Sequence, residues 1–325
     1  MEPAGWSAAP SRSVRLGEGA MVLAATAYGI SITVSVAALD RISPADLVAV
    51  ELMGAAAALL TIGVLRGALT RDGWRRNVAF GALMPGLAFV LGDLGLSRTS
   101  ASAGSLLLAA ELPLSVLLAV VFLRERLRGW GTAALVLGLA GSTVVALGSG
   151  GSGSSSTTGN LLVVSSVIAS AVFLVLTRRF NGADGFSAST WQTVGAAVCT
   201  LPFVLFGWRH DGSELAGAGV DGWVYALGVL AGTAIGSVAF NWGISRVPGV
   251  RASQLLNLTP LVGLLAAVVF LAESPSVVQY AGGGLVLLAV VLLVRAVEGG
   301  RGSGPVADIE PIGSGSHPAA PDLAA

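Results

Sequence analysis

The chain has 325 residues, of which 54% are hydrophobic and only 11% are charged, and its mean hydropathy is +0.81. Soluble domains carry about 25% charged residues, so this composition excludes a soluble globular protein and predicts an integral membrane protein. The formal net charge is zero, so bulk charge indicates no nucleic-acid partner. Cys199 is the single cysteine, which excludes an intrachain disulfide and a cysteine metal cluster.

Ten apolar segments follow one another along the chain, and each is long enough to cross the hydrocarbon core as a helix. Helices are predicted rather than strands because an open strand in lipid leaves its backbone polar groups unpaired. The first segment exceeds the roughly 7–15 residues of a signal-peptide core, so we expect it to remain as a helix. The predicted helices lie near residues 19–39, 45–65, 78–97, 102–123, 130–148, 160–177, 187–207, 222–244, 252–271 and 277–296.

Polar segments divide the chain into two halves of five predicted helices. We predict a first repeat at residues 19–148 and a second at residues 160–296, joined by a flexible linker of Gly, Ser and Thr at residues 149–159. Residues 1–18 are expected to form a cytoplasmic N-terminal segment. Residues 297–325 are rich in Gly, Ser and Pro and are expected to form a disordered cytoplasmic tail.

The arginine positions predict how the helices are oriented. Every cation in the chain is an arginine, and with a cytoplasmic N-terminus 15 of the 18 fall on the cytoplasmic side. Arg41, Arg98 and Arg209 are the three on the outer side. Because cytoplasmic loops are enriched in basic residues, this distribution predicts a multi-pass protein of the cell inner membrane with both termini in the cytoplasm.

Two stretches of the chain have similar amino-acid sequences. Residues 93–125 and residues 241–273, laid at a constant offset of 148, agree at 13 of 33 positions. The shared features are Gly95 and Gly243, Ser97-Arg98 and Ser245-Arg246, the prolines Pro113 and Pro260 displaced by one residue, and the terminal acids Glu125 and Glu273. Each half therefore repeats the other.

Five helices in each half require the second half to enter the membrane in the opposite sense to the first. Such an inverted-topology repeat is typical of secondary transporters, whose substrate site lies near the bilayer midplane between the halves. We therefore predict an all-α membrane protein with ten transmembrane helices in two inverted five-helix repeats. The alternative is a duplicated membrane protein with a purely structural role.

These repeated residues make the chain resemble the EamA type of the drug/metabolite transporter (DMT) superfamily. The resemblance rests on Gly-[Ile/Leu]-Ser-Arg, a following proline and a closing [Phe/Leu]-Leu-x-Glu, which occur twice at matching places within residues 19–296. It implies an inner-membrane carrier that exports or takes up small metabolites, often amino acids or related compounds. Family members often place a basic residue where this chain has Glu51, so the substrate class is not carried over closely.

Three acids, Glu51, Asp93 and Glu111, lie inside predicted helices and away from their end residues. A charged side chain at the bilayer centre costs roughly 2.5–3.5 kcal/mol on insertion scales, so it generally faces a cavity or a partner. Glu111 is the most central acid and shares a small, polar stripe with Ser115, and Pro113 frees a backbone carbonyl in the preceding turn. We predict a proton or cation site at Glu111; the alternative is a protonated glutamate bonded to a neighbouring helix.

The other two acids inside predicted helices are Asp93 and Glu51. Asp93 lies five residues before Arg98, so it either lines the pathway or pairs with that arginine. Aligning the two halves sets Glu51 against Gln192, so both halves place a polar group at this position. We predict both as pathway residues.

The second half carries neutral polar groups where the first half carries acids. Ser253 and Asn257 form a polar stripe before Pro260, and Asn241 corresponds to Asp93. This asymmetry predicts that the first half couples transport to an ion and that the second half binds substrate through hydrogen bonds.

Four further residues complete the predicted pathway and its ends. Tyr28 and Trp242 are placed along the pathway, although an isolated aromatic residue more often serves packing. Glu125 and Glu273 end the fourth and ninth predicted helices at opposite membrane faces. We expect them to cap or pair where the next helix begins, with a gating role as the alternative.

The sequence lacks the motifs of common enzymes. A chain without lysine has no P-loop, and H-E-x-x-H and G-x-S-x-G are also absent. We therefore expect no catalytic residues, cofactor or metal. The prediction is a secondary transporter that exports an amino-acid-like or drug-like metabolite by alternating access, with a proton or another cation as candidate coupling ion. The alternatives are an uncoupled facilitator and, in a different class, a membrane-embedded sensor or enzyme.

Overall fold

The computed structural model describes residues 12–123, 130–147, 156–177, 185–247, 252 and 255–300, and within these residues it contains helices and no strands. The helices are α1 (Arg12–Leu39), α2 (Pro44–Leu65), α3 (Trp74–Leu96), α4 (Ala101–Leu108), α5 (Glu111–Leu123), α6 (Trp130–Leu147), α7 (Thr157–Thr177), α8 (Gly185–His210), α9 (Gly219–Ile244), α10 (Leu258–Phe270) and α11 (Val277–Gly300).

Eight helical spans in the described part of the chain are long and apolar enough to cross a membrane, with α4 and the start of α5 counted as one span. Helix α10 and the apolar part of α11 are shorter. Each predicted segment overlaps a helix. The largest difference is α1, which begins at Arg12 and not near residue 19, because hydropathy locates the apolar part of a helix and not its polar extension.

The ends of the predicted regions fall partly outside the described residues. Of the predicted linker, residues 149–155 lie outside them, and α7 begins at Thr157, inside the predicted linker. Helix α11 continues to Gly300, past the predicted end at residue 296. The expected disordered tail was residues 297–325, and of these residues 301–325 lie outside the described residues.

Several helices are irregular near their middle. Helix α2 contains a π-helical turn at Ala49–Met53, and α3 contains another at Ala82–Leu87, where Met84 has an extended backbone (φ −142°, ψ 123°) before Pro85. Helices α4 and α5 are separated at residues 109–110. Pro113 explains this break, because a proline cannot bond to the carbonyl four residues earlier and its ring clashes with that carbonyl.

The helices of one half pack mainly against helices of the other half. Helix α1 lies against α9 and α10, and α3 lies against α7 and α8. Helix α4 contacts α10, and α6 lies along α11. The core is therefore built across the two halves, and removing either half would expose it.

The closest crossing joins α3 to α8. A Cβ atom at Gly81 would overlap the carbonyl oxygen of Gln192, and a Cβ atom at Gly195 would overlap that of Val78. The two backbones thus touch directly, and small residues are what permit such an approach between membrane helices.

The repeated Ser-Arg pair ends a helix in both copies. Ser97 Oγ and Arg98 Nη1 donate to the Leu94 carbonyl at 3.0 and 2.7 Å. In the second copy the corresponding serine and arginine donate to the Trp242 carbonyl, both at 2.9 Å. The last carbonyls of a helix have no partner within it, so the pair supplies donors there and closes α3 and α9 in the same way.

The repeated glycine makes the same type of contact in both copies. A Cβ atom at Gly95 would lie 2.9 Å from the Gly159 carbonyl oxygen at the start of α7. A Cβ atom at Gly243 would lie 3.0 Å from the Gly17 carbonyl oxygen near the start of α1. Each glycine thus lets the end of its helix approach the first helix of the other half.

Candidate functional site

A cavity of about 230 Å³ lies among helices of both halves. Its wall is formed by α1, α2, α3, α4 and α5 from the first half and by α7, α9 and α10 from the second. Sites for drug-sized ligands are roughly 300–1,000 Å³, so the volume suits a small metabolite.

All three acids predicted as pathway residues line this cavity, although they come from different helices. Glu51 is 4% exposed and sits in the π-helical turn of α2, and Asp93 is 5% exposed and follows the irregular turn of α3. Glu111 is the first residue of α5, directly after the break that separates it from α4. Irregular turns within helices are frequent at functional sites, and here they accompany each acid.

Some polar atoms of the wall are satisfied and others are not. Glu51 accepts a hydrogen bond from the Thr233 hydroxyl on α9, which joins the two halves. Asp93 Oδ2, Asn257 Nδ2 and Ser31 Oγ are buried and have no hydrogen-bond partner. A buried polar atom without a partner costs about 1–3 kcal/mol, so three of them around one cavity indicate room for a polar ligand or water.

The remainder of the wall is largely apolar. Phe89, Phe173 and Phe240 line the cavity from α3, α7 and α9, and five leucines line it as well. Among the described residues of the wall there is no Arg, Lys or His. The cavity therefore combines an apolar body with acidic and neutral polar groups.

The remaining predicted pathway residues divide between the cavity and its surroundings. Tyr28, Asn257 and Pro260 line the cavity, and the Tyr28 hydroxyl donates to Ser237 Oγ at 3.2 Å. Ser253 lies outside the described residues. These placements leave the predicted roles in transport as predictions.

Ser115, Pro113 and Trp242 are not part of the cavity wall. The Ser115 hydroxyl is buried and donates to the Leu112 carbonyl at 2.9 Å. Glu111 and Ser115 lie one turn apart on α5, but the cavity wall includes only Glu111 and Leu112 of this helix and does not extend to the next turn. Pro113 packs against Gly138 of α6, and the Arg246 guanidinium stacks on the Trp242 ring at 3.8 Å.

Gln192 and Asn241 lie in a second polar cluster, outside the cavity wall. Asn241 Nδ2 donates to Ser189 Oγ at 2.8 Å and to Gln192 Oε1 at 3.4 Å. Gln192 Nε2 donates to Asn77 Oδ1 at 3.5 Å. Gln192 does not match Glu51 in position because α8 crosses α3 in backbone contact at this residue, whereas α2 has a π-helical turn at Glu51.

Asp93 and Arg98 have different surroundings in the structure. Arg98 donates to the Leu94 carbonyl at 2.7 Å, while Asp93 lines the cavity with Oδ2 unpartnered. The pathway role of Asp93 stays a prediction.

A further acid, Asp46, lies in the first turn of α2 and was missed because it falls at the end of a predicted helix. It is fully buried. Its Oδ1 accepts hydrogen bonds from Trp208 Nε1 and Ser213 Oγ at 2.8 and 2.7 Å, and its Oδ2 accepts from the Glu214 amide and Ser43 Oγ at 2.8 and 2.9 Å. With four donors it acts as a structural tie between α2 and the segment after α8.

Glu273 caps a helix of the other half. Its carboxylate accepts hydrogen bonds from the amides of Ala101 and Ser102, both at 2.8 Å, and from the Ser102 hydroxyl. These amides begin α4, where the first N–H groups have no partner within the helix, and a negative charge there is favourable. The capping role was predicted, but for the following helix and not for α4. Its counterpart, Glu125, lies outside the described residues.

We expect Glu273→Ala to lower the free energy of unfolding by about 1.5–3 kcal/mol, the range for hydrogen bonds to a charged group. Glu273→Gln should lower it less, because the amide oxygen still accepts from one backbone N–H. Thermal unfolding of the purified protein in detergent measures both changes. Glu214→Ala, on an exposed side chain, is the control, and a Glu273→Ala protein that melts with this control would contradict the capping role.

Thr233 and Ser31 are wall residues that sequence reasoning missed. Thr233 bonds to Glu51, and Ser31 places its hydroxyl, buried and unpartnered, at the wall. Serine and threonine occur throughout the helices of this chain, so residue type alone does not distinguish them. Ser31 lies three residues after Tyr28, on the same face of α1, which is the one signal that was present.

Comparison with known proteins gives one family match, and it covers both halves. The EamA-like transporter family matches residues 15–147 and again residues 157–295. The two matched regions are separated at the predicted linker.

Similar proteins include two relatives and one solved structure. A protein of Streptantibioticus cattleyicolor described as a probable terminal-alkyne amino-acid exporter is 29% identical over 216 residues, which cover 65% of this chain and 70% of that protein. An uncharacterized transporter of Archaeoglobus fulgidus is 23% identical over 276 residues, covering 85% of this chain and 97% of that protein. A crystal structure superposes with a TM-score of 0.56 at 19% identity, covering 88% of this chain and 99% of the other, and this likeness concerns the fold alone.

Proposed function

The chain belongs to the EamA-like transporter family, which confirms the resemblance drawn from the repeated motif, and on this premise we propose that it is a secondary transporter of the inner membrane. It exports a small amino-acid-like or drug-like metabolite by alternating access and exchanges it for protons. The observation that carries the proposal is the cavity lined by helices of both halves, with all three predicted acids in its wall. The family and the names of its relatives point to transport and not to catalysis.

Ten membrane crossings in two inverted repeats are part of this proposal. Helices α4 and α5 count as one broken crossing, and α10 together with the helical residues 255–256 counts as another. Support comes from the contacts between halves, which occur in matching pairs. The contact of α1 with α9 has a counterpart in that of α7 with α3, and the contact of α1 with α10 has one in that of α7 with α4 and α5.

The close approaches at the helix ends are made by Gly95 and Gly243, which are 148 residues apart. Gly95 meets α7 and Gly243 meets α1 at nearly the same distance. Equal contacts made by equivalent residues are expected if the two halves share one fold and exchange places about a pseudo-two-fold axis in the membrane plane. Such an axis allows one half to rock against the other around a fixed site.

Proton coupling is proposed from the chemistry of the wall. Three carboxyl groups share a small cavity without a basic side chain among its described residues, so they cannot all carry a charge without strong mutual repulsion. Protonation of one or more of them relieves this repulsion, and binding of a substrate changes it again. Glu111 is the leading candidate because it begins a half-helix at the break in the fourth crossing, the type of position where transporters bind substrates and ions.

A flux measurement with purified protein in liposomes tests the function. Labelled probes should include several amino acids, a terminal-alkyne amino acid and simple amines, each with and without an imposed pH gradient. The proposal predicts accumulation of at least one probe against its gradient, dependent on the pH gradient and lost in liposomes without protein. Equilibration without accumulation would indicate the uncoupled facilitator, and absence of flux for the whole panel would overturn the transport proposal.

The proposed orientation has its own test. A cysteine at Ser152, in the predicted linker, should react with a membrane-impermeant reagent added outside the cell. A cysteine at Arg126, between the fourth and fifth predicted helices, should react only after the membrane is opened, because it is expected on the cytoplasmic side. Cys199, which is exposed, is first replaced by alanine. Reaction of both positions from the same side would remove the inverted arrangement.

A further inference from the structure

The charged side chains in the described wall of the cavity are all acidic. Its wall holds Glu51, Asp93 and Glu111, while no Arg, Lys or His appears among the described wall residues. The whole chain has no lysine, so none of the residues outside the description can contribute one. A ligand that enters this space therefore meets carboxyl groups and neutral dipoles, and no cationic side chain of the described wall.

One oxygen of these carboxyl groups is buried without a hydrogen-bond partner. Asp93 is 5% exposed, lines the cavity, and has no hydrogen-bond partner at Oδ2. Asp46, the other buried aspartate on these helices, is bonded to four donors. The contrast distinguishes a structural aspartate from one whose acceptor is available to a ligand that donates hydrogen bonds.

The rest of the wall suits the apolar part of such a ligand. Tyr28, Phe89, Phe173 and Phe240 line the same space, and aromatic faces attract ammonium groups as well as apolar groups. A ligand carboxylate has no comparable place. Within the described wall it would be buried beside acids without a cationic partner, which is strongly unfavourable.

We infer that the cavity is a site for an organic ammonium cation with a small apolar body, and that a carboxylate on the ligand weakens its binding. The inference rests on the proposed function and names the substrate class of the same cavity. The ammonium group donates a hydrogen bond to Asp93, and the neighbouring acids compensate its positive charge. The apolar body packs against the aromatic rings.

Three probes with the same phenyl ring and two-carbon chain separate the charge states. Phenethylamine carries only the ammonium group, phenylalanine carries the ammonium and the carboxylate, and 3-phenylpropionate carries only the carboxylate. Titration calorimetry on the purified full-length protein measures the binding of each. Phenethylamine is expected to bind at least about tenfold more tightly than phenylalanine, and 3-phenylpropionate is expected not to bind at millimolar concentration.

Matched variants locate the site. Asp93→Asn should weaken phenethylamine binding at least about tenfold, and Asp221→Asn, the same change on an exposed side chain at the start of α9, should leave it unchanged. Size-exclusion chromatography verifies that each variant is folded. If Asp93→Asn fails to fold, Glu51→Gln takes its place, and the probe series on the unchanged protein is informative without either variant.

Several results would overturn the inference. The first is that phenylalanine or 3-phenylpropionate binds as tightly as phenethylamine. The second is that phenethylamine does not bind at millimolar concentration. The third is that Asp93→Asn and Asp221→Asn bind phenethylamine with the same affinity. Binding and flux also fail separately. A protein that accumulates phenylalanine but does not bind phenethylamine is a transporter of another class, whereas one that binds phenethylamine and moves no probe keeps the ammonium site and loses the transport function.

Discussion

Glu111→Gln is expected to abolish accumulation of substrate driven by a pH gradient. Glutamine keeps nearly the same shape and an acceptor oxygen but cannot release or bind a proton in the working range. A carrier that exchanges a proton for substrate at this residue should then lose all coupled uptake into liposomes. Exchange of labelled for unlabelled substrate should survive, because that reaction needs the binding site and the conformational change but no net proton movement.

Glu214→Gln is the matched control for this prediction, since it makes the same change on an exposed side chain. It should accumulate substrate at the rate of the unchanged protein. If Glu111→Gln also accumulates substrate normally under the pH gradient, Glu111 is a structural acid. Coupling would then have to reside at Asp93 or Glu51, and if their neutral variants behave in the same way the protein is an uncoupled facilitator.

The second large effect is expected at the crossing of α3 and α8. Ala in place of Gly81 or Gly195 puts a methyl group where a backbone oxygen of the other helix already lies. A backbone oxygen cannot rotate away as a side chain can, so the two helices must separate along the crossing. We expect each variant to lose at least about 3 kcal/mol of stability, the upper range for overpacked cores, and to be poorly retained as folded protein.

Yield of monodisperse protein and thermal unfolding in detergent measure this loss. Gly284→Ala on α11 is the control, because a Cβ atom there has nothing within 4 Å. The control also makes a Gly to Ala change within a helix, so it carries the same change in helix propensity. Normal yield and normal melting of Gly81→Ala would show that α3 and α8 do not cross in backbone contact.

The helices of this fold could be predicted from sequence because each depends on local composition. Apolar runs of about 20 residues mark the spans, and tryptophans near their ends, such as Trp74 and Trp130 at the starts of α3 and α6, mark the interfaces. The break between α4 and α5 was indicated by Pro113, whose missing N–H acts within one turn. Helix ends were less well predicted, as at Arg12, because polar residues can extend a helix beyond the membrane.

The acids of the cavity were predicted for a physical reason that also acts locally. A carboxyl group inside an apolar helix is expensive in lipid, so Glu51, Asp93 and Glu111 were expected to face the interior, and all three line the same cavity. Their partners could not be predicted in the same way. Thr233 meets Glu51 only because α9 packs across the halves.

The contacts that differ between the sequence prediction and the structure are those that depend on the angle between helices. Gln192 was aligned with Glu51 by position in the repeat, but the crossing of α8 with α3 places it with Asn77 and Asn241. Glu273 was expected to act on the next helix, and it caps α4 of the other half. Neither the π-helical turn in α2 nor the path of the chain between halves leaves a pattern in the residues themselves.

Access to the cavity from both sides of the membrane is the most direct test of alternating access. A cysteine at Ser170, which lines the cavity from α7 and is 5% exposed, is introduced into a protein whose Cys199 is replaced by alanine. Right-side-out and inside-out vesicles are treated with the same membrane-impermeant thiol reagent. Alternating access predicts labelling in both kinds of vesicle, slowed by a bound substrate in each; labelling in only one kind, or in neither, would contradict it.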